Sequence, residues 1–238
     1  MLRELESLAE MFIKESKAWI AVGLFYMIMF PVAIVFALGQ IVSRSYTFYL
    51  LSGTITFQVA LTGLLSVPSS IGMDREAGRI SLMIASGVPA WAYAITSTLV
   101  NNVFAVASGL LLAGVAEALG FISLTPLTVG LLVASLLVSA FQSSMIGLAL
   151  ASKIRNWRLL QQVDQIAAFG LTFFAPVYFP LGLVPRDLLP IAMMEPTTYV
   201  AQAVRLSLQG SLSSILWDLA TLAYGTIFGL LASRWGLS

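Results

Sequence analysis

Asp74, Arg75 and Glu76 stand side by side, with Gly78 and Arg79 just beyond, in a chain that has no histidine and no cysteine. Missing those two residue types removes disulfides, Cys/His zinc sites, haem ligation, thiol nucleophiles and imidazole acid–base chemistry together. No G-x-x-x-x-G-K-[ST] phosphate loop is present either. The lysines are Lys14, Lys17 and Lys153, and none follows a glycine. No catalytic residue, metal ligand or bound cofactor is therefore assigned. The other polar groups worth weighing are amides: Gln58, Asn101, Asn102 and Gln142.

What must position these residues is a set of long uncharged runs. Residues 18–43, 45–73, 80–116, 118–152 and 165–185 carry no charge over 26, 29, 37, 35 and 21 residues. About 20 apolar residues cross about 30 Å of hydrocarbon at 1.5 Å rise each. A sixth run, 215–233, carries Asp218 near one end and is bracketed by Trp217 and Trp235, as interfacial aromatics would be. The runs are two to three times too long for strands of a membrane barrel. With 59% hydrophobic and 10% charged residues and a mean hydropathy of +0.94, a soluble surface is excluded. A net charge of +1 without a basic cluster gives no reason to expect nucleic acid as a partner.

The expected fold is an all-α membrane protein with six transmembrane helices, at about 18–42, 46–70, 90–114, 126–151, 163–184 and 215–234. Residues 18–238 form a single transmembrane domain. Residues 1–17 place Leu2, Leu5, Leu8, Phe12 and Ile13 at helical spacing among charges, which predicts an amphipathic interfacial helix against membrane lipid, or equally a solvated helix capping the bundle, rather than a signal peptide. Pro31 should kink the first span, whereas Pro68, Pro89, Pro126 and Pro185 fall near span ends.

Basic residues set the topology. Arg3, Lys14, Lys17, Arg75, Arg79, Lys153, Arg155, Arg158 and Arg234 fall on one side, and Arg44, Arg186 and Arg205 on the other. Both termini are expected in the cytoplasm of a cell whose plasma membrane the chain crosses several times. Segment 72–89 then faces the cytoplasm and segment 185–214 faces outward.

Two segments carry most information. In the first, Arg79–Ala85 predicts a short helix with Ile80, Leu82, Met83 and Ile84 on its apolar face, ended by Gly87 and Pro89. It can dock a cytoplasmic partner or rest on lipid headgroups. In the second, Pro176, Pro180, Pro185, Pro190 and Pro196 recur in an apolar stretch, which predicts broken or re-entrant helices between spans five and six. A further amphipathic helix is expected from about Thr197 to Gln209, ending at Gly210.

These segments resemble the ABC-2 type permeases, the membrane-spanning subunits of type 2 ABC exporters. The resemblance lies in Asp74-Arg75-Glu76 with Gly78 and Val88-Pro89, in Tyr178-Phe179-Pro180-Leu181 with Val184-Pro185, and in Glu195-Pro196-x-x-Tyr199 with Arg205. Ser81 and Gln202 stand where that family often has an acidic residue. The resemblance implies that 72–89 is a coupling helix seated in an ATP-binding subunit, with Asp74, Arg75, Glu76, Gly78 and Arg79 at the contact. It further implies a homodimer or pseudo-dimer of permeases with two copies of that ATPase, which supply ATP and magnesium. Export by alternating access follows, and charge reversal at Arg75 and Glu76 should uncouple hydrolysis from transport without lowering the amount of folded protein.

Within the spans, Gln58, Asn101, Asn102 and Gln142 either bond between helices or line a substrate path. Gly225-x-x-x-Gly229 and Ser143-x-x-x-Gly147 permit close helix approach, and Glu117 reads as a solvated loop residue. An ion-coupled secondary transporter is the main rival. It wants a carboxylate near the midplane, and Asp164 and Asp218 fall near predicted span ends. An intramembrane enzyme would need ionisable groups at the span centres, which hold none.

Overall fold

The computed structural model describes residues 44–235 and, before them, only Glu10, Met29 and Ala33. The predicted first span (18–42), its Pro31 kink and the predicted amphipathic helix 1–17 lie outside the described residues. The described chain is helical: α1 (Arg44–Glu76), α2 (Arg79–Ala85), α3 (Ala90–Ala118), α4 (Pro126–Lys153), α5 (Trp157–Phe173), α6 (Leu189–Met194), α7 (Pro196–Leu208) and α8 (Ser214–Trp235). A short 3-10 turn, Leu181–Leu183, sits between α5 and α6. Among the described residues, four helices are long and apolar enough to cross a membrane, within Tyr46–Glu76, Ala90–Ala118, Pro126–Lys153 and Ser214–Arg234.

Helix ends follow local chemistry. Thr125 and Thr128 exchange side chain and backbone bonds (Thr128 N to Thr125 Oγ1, 3.2 Å; Thr125 N to Thr128 Oγ1, 2.6 Å), and Pro126 opens α4 where its missing N–H costs nothing. Asn156 Oδ1 accepts from Leu159 N at 3.0 Å and starts α5 at Trp157, earlier than the predicted 163. That helix stops at Phe173 instead of running to 184. Pro176 and Pro180 cannot donate to a helical ladder, so the broken backbone begins at Phe174, inside what the sequence reads as apolar span. At α7 the prediction and the structure agree to within about a residue, with Gly210 in a left-handed conformation after it.

α4 runs through the centre, packed by α1, α3, α7 and α8. Ile55, Val59, Leu132, Leu136, Val200 and Val204 form the core at one end, and Val67, Ile71, Ile80, Tyr93, Ala151 and Leu160 at the other. Small residues let α1 and α4 approach. A Cβ built on Gly63 would stand 2.5 Å from Ser143 Cβ, and one on Gly147 would stand 2.8 Å from Pro68 Cδ. Gly225 faces Phe141 and Gly229 faces Met145 in the same way across the α4–α8 seam.

The broken segment is fastened by a buried cation. Arg205 Nη2 donates to Val177 O at 2.9 Å and Pro176 O at 3.4 Å, and its guanidinium carbon lies 4.7 Å from the centre of the Tyr49 ring. Carbonyls that no helix satisfies here find a donor on α7, while the cation finds an aromatic face on α1. α1, α7 and residues 176–177 are thereby held as one end of the bundle.

Candidate functional site

The α1–α2–α3 elbow is built around one buried carboxylate. Asp74 is 3% exposed. Its Oδ2 accepts from Tyr93 Oη at 2.5 Å, and its Oδ1 lies 2.9 Å from Arg79 Nε. Three elements meet there: the last turn of α1, the first residue of α2 and the first turn of α3. Arg79 remains partly open to water, at 35% side-chain exposure.

Arg75 points the other way. Its Nη2 donates to Ala151 O at 3.0 Å and its Nη1 to Ile154 O at 3.2 Å, so it closes the end of α4, whose last carbonyls have no helical partner. A positive charge there also complements the helix dipole. Glycines make the elbow's turns. Gly78 (φ 71) reverses the chain between α1 and α2. Gly87 (φ 90) ends α2 in a Schellman arrangement, with Val88 N bonded to Met83 O and Gly87 N to Ile84 O, both at 3.0 Å.

The five predicted contact residues therefore divide by what they touch. Asp74, Arg75 and Arg79 bond within the chain, Gly78 sets a turn, and Glu76 is exposed. The outward surface of the elbow is apolar. Leu82 is 68% exposed and Ile84 43%, with Met73 and Trp91 also open, while Ile80 and Met83 pack inward on Val67, Ile71, Tyr93 and Leu160. Sequence reading put Ile80, Leu82, Met83 and Ile84 on one face. The helix splits them into an inner and an outer pair.

The four amides do not meet. Gln58 Nε2 reaches Thr62 Oγ1 at 3.5 Å, and Asn101 Nδ2 bonds Ser97 O at 2.8 Å, each within its own helix. Asn102 Oδ1 accepts from Ser144 Oγ at 2.5 Å and ties α3 to α4. Gln142 is buried and donates to Pro196 O at 3.3 Å, tying α4 to α7. Glu117 lies exposed at the end of α3 and accepts from Leu124 N at 3.1 Å.

The sequence does not single out Tyr93, and it sets Asp164 and Asp218 aside. Tyr93 lies 19 residues from its carboxylate partner, and no periodicity links the two. Asp164 on α5 is 2% exposed and Asp218 on α8 is 8% exposed, although both fall near predicted span ends. Burial of Asp164 follows from α5 starting at Trp157, which sets the aspartate two turns into the helix beside α1. Among the described residues, no three His, Cys, Asp or Glu side chains converge to hold a metal ion.

Compared with models of known protein families and with characterised proteins, the sequence matches none.

Proposed function

We propose that this chain is the membrane-spanning subunit of an ABC exporter, working with a separate ATP-binding subunit. Its six spans would include 18–42 and the helix and broken segment of 157–184, with both termini cytoplasmic in the plasma membrane. Two permease copies and two ATPase copies would assemble, and the ATPases would bring ATP and magnesium. The observation that carries the reading is the elbow. A seven-residue helix is clamped to the bundle through Asp74 while Leu82 and Ile84 stand in the open. A rigid apolar knob on a charged clamp is what a moving partner needs in order to push on α1 and α3 together. Flexible attachment would absorb the stroke.

This assigns different work to the residues than the charge pattern implies. Asp74, Arg75 and Arg79 transmit force into α1, α3 and α4. Glu76, Leu82 and Ile84 meet the ATPase. Affinity purification from the native membrane in mild detergent tests the reading. Vanadate-sensitive ATPase activity in the eluate, with an ATP-binding protein crosslinked at position 76 or 82, is the expected result. A folded chain without any ATPase partner would overturn it.

The second reading, an ion-coupled secondary transporter, is favoured by one feature: Asp164 and Asp218 both lie buried in the helix bundle. An uncoupler that abolishes transport while ATP stays high would select it.

A further inference from the structure

Asp218 sits in the second turn of α8 with its carboxylate turned into the seam with α4 and α7. Its Oδ2 lies 2.8 Å from Ser135 Oγ on α4, and Ser135 Oγ lies 2.8 Å from Ser207 Oγ on α7. All three side chains are buried. Two further atoms in the neighbourhood are buried without a hydrogen-bond partner among the described residues: Asp218 Oδ1 and Ser214 Oγ. They belong to residues four apart on α8, hence on one helix face.

Hydroxyl bookkeeping gives this line two states. Each serine has one proton to donate. When Asp218 is ionised, Ser135 donates to Oδ2, so Ser207 must donate to Ser135. When Asp218 is protonated on Oδ2, the acid donates to Ser135, and Ser135 is free to donate to Ser207. One extra proton reverses both bonds with no movement of heavy atoms. The ionised state leaves Oδ1 buried and charged with no partner among the described residues, which a low-dielectric seam opposes.

Among the described residues, no fixed charge on the neighbouring elements compensates. Of the described helices, α4 and α7 pack against α8. On α4 the charged group is Lys153, 18 residues from Ser135 and so about 27 Å along the helix. On α7, Arg205 is turned to the Pro176 and Val177 carbonyls and the Tyr49 ring. Tyr199 donates to Met193 O, and Tyr224 on α8 to Met194 O. Glu195, before α7, adds a carboxylate rather than a cation. Arg234 lies 16 residues along α8 from Asp218, about 24 Å.

We infer that Asp218, Ser135 and Ser207 form a proton-binding relay in which Asp218 takes up and releases one proton and the two hydroxyls turn with it. On uptake, a hydronium ion gives a proton to the Asp218 carboxylate, the least buried of the three at 8% exposure against 0% for both serines, and leaves as water. Asp218 then donates to Ser135, and Ser135 turns its O–H to Ser207. One O–H bond breaks and one forms, and the carboxylate becomes neutral. With the charge gone, α8 is held to α4 and α7 by ordinary hydroxyl bonds instead of an anion's, so the proton sets how firmly α8 is latched. The inference holds for either energy source proposed above.

Infrared difference spectroscopy on the full chain in detergent, wild type minus Asp218→Asn, tests it. A protonated-acid C=O band at neutral pH that shifts in heavy water and is absent from Asp218→Asn is expected. Ser135→Ala should move the band to higher frequency, because the acid loses the hydroxyl it donates to. Ser207→Ala should shift it in the same direction by less. A carboxylate band alone, at every pH where the chain stays folded, would overturn the relay, as would a band indifferent to both serines. A band abolished by sodium chloride but not by choline chloride would make this a metal-ion site and overturn the proton assignment. Should Asp218→Asn not fold, wild type minus Ser135→Ala carries the same readout. No ATPase enters the experiment, so its failure leaves the permease reading untouched.

Discussion

Arg79 Nε lies 2.9 Å from Asp74 Oδ1, and that single pair ties the first residue of α2 back to the last turn of α1 across the Gly78 turn. The same carboxylate receives the Tyr93 hydroxyl from α3. One buried acid thus fixes the angle between two long helices and the direction in which the short one points. A hydrogen bond to a charged group contributes about 1.5–3 kcal/mol, roughly double a neutral one.

Tyr93→Phe should therefore cost about 1.5–3 kcal/mol. Asp74→Asn should cost at least as much, because it leaves the Tyr93 hydroxyl and the Arg79 guanidinium competing for one neutral carbonyl. Thermal unfolding of the full chain in detergent measures both. The double variant should cost clearly less than the sum, since each change removes the same bond. Additive losses would mean that the two residues act separately.

Arg75 and Glu76 should part company. Arg75→Glu sets a negative charge beside the Ala151 and Ile154 carbonyls, at the negative end of α4, and should lower the amount of folded protein. Glu76→Lys changes an exposed side chain and should move stability by no more than about 0.5 kcal/mol. Detergent-solubilised yield and melting temperature separate the two. Reversing both charges at once, as the sequence invites, would confound a folding defect with loss of coupling.

Leu82→Glu tests the apolar knob. The side chain is mostly exposed, so melting should change little, while co-purifying ATPase activity should fall about tenfold or more if the knob seats in a partner pocket. Retained activity in a folded Leu82→Glu, Ile84→Glu chain would assign this face to lipid headgroups.

Much of this architecture was legible because helices in an apolar chain declare themselves by length. The boundaries of α2, α3, α4, α7 and α8 came from charge gaps, from Pro89 and Pro126 near span ends, and from glycines at 87 and 210. The α5 boundary did not, because Asn156 as a cap and Pro176 as a stop are local signals inside a longer apolar run. The site was legible as a place but not as roles. Adjacent charges at 74–76 say nothing about which one turns inward. That depends on Tyr93 and on the carbonyls of Ala151 and Ile154, which only tertiary packing brings near. The relay at Asp218 was hidden for the same reason, since Ser135 and Ser207 read as ordinary small residues of their helices.

The α1–α4 seam makes a quantitative claim. Around Gly63 the neighbours are Ser143 Cβ at 2.5 Å and the Ser144 backbone nitrogen at 3.0 Å from an added Cβ, and neither is the end of a flexible side chain. Gly63→Ala should cost about 1–3 kcal/mol by overpacking, despite alanine's better helix propensity. Gly114→Ala, where no described atom beyond its own stretch of helix lies within 4 Å of the added carbon, should be neutral or mildly stabilising. Melting of the two variants side by side decides whether the helices touch as closely as described.

Glu195 gives the pH prediction. It precedes α7, its Oε2 is buried without a partner among the described residues, and burial pushes its carboxyl above the ordinary glutamate range. A carboxyl whose folded pKa is raised binds its proton more tightly in the folded chain than in the unfolded one. Its unfavourable contribution is absent while both states are protonated. It grows as pH rises from the ordinary glutamate value and levels off above the raised one. Glu195→Gln removes the ionisation while keeping the shape, so it should raise the melting temperature at neutral pH and not at acid pH. The gap between variant and wild type should widen through that window and then hold constant. A gap of the same size at every pH would trace the effect to packing around Pro196 instead of to the buried charge.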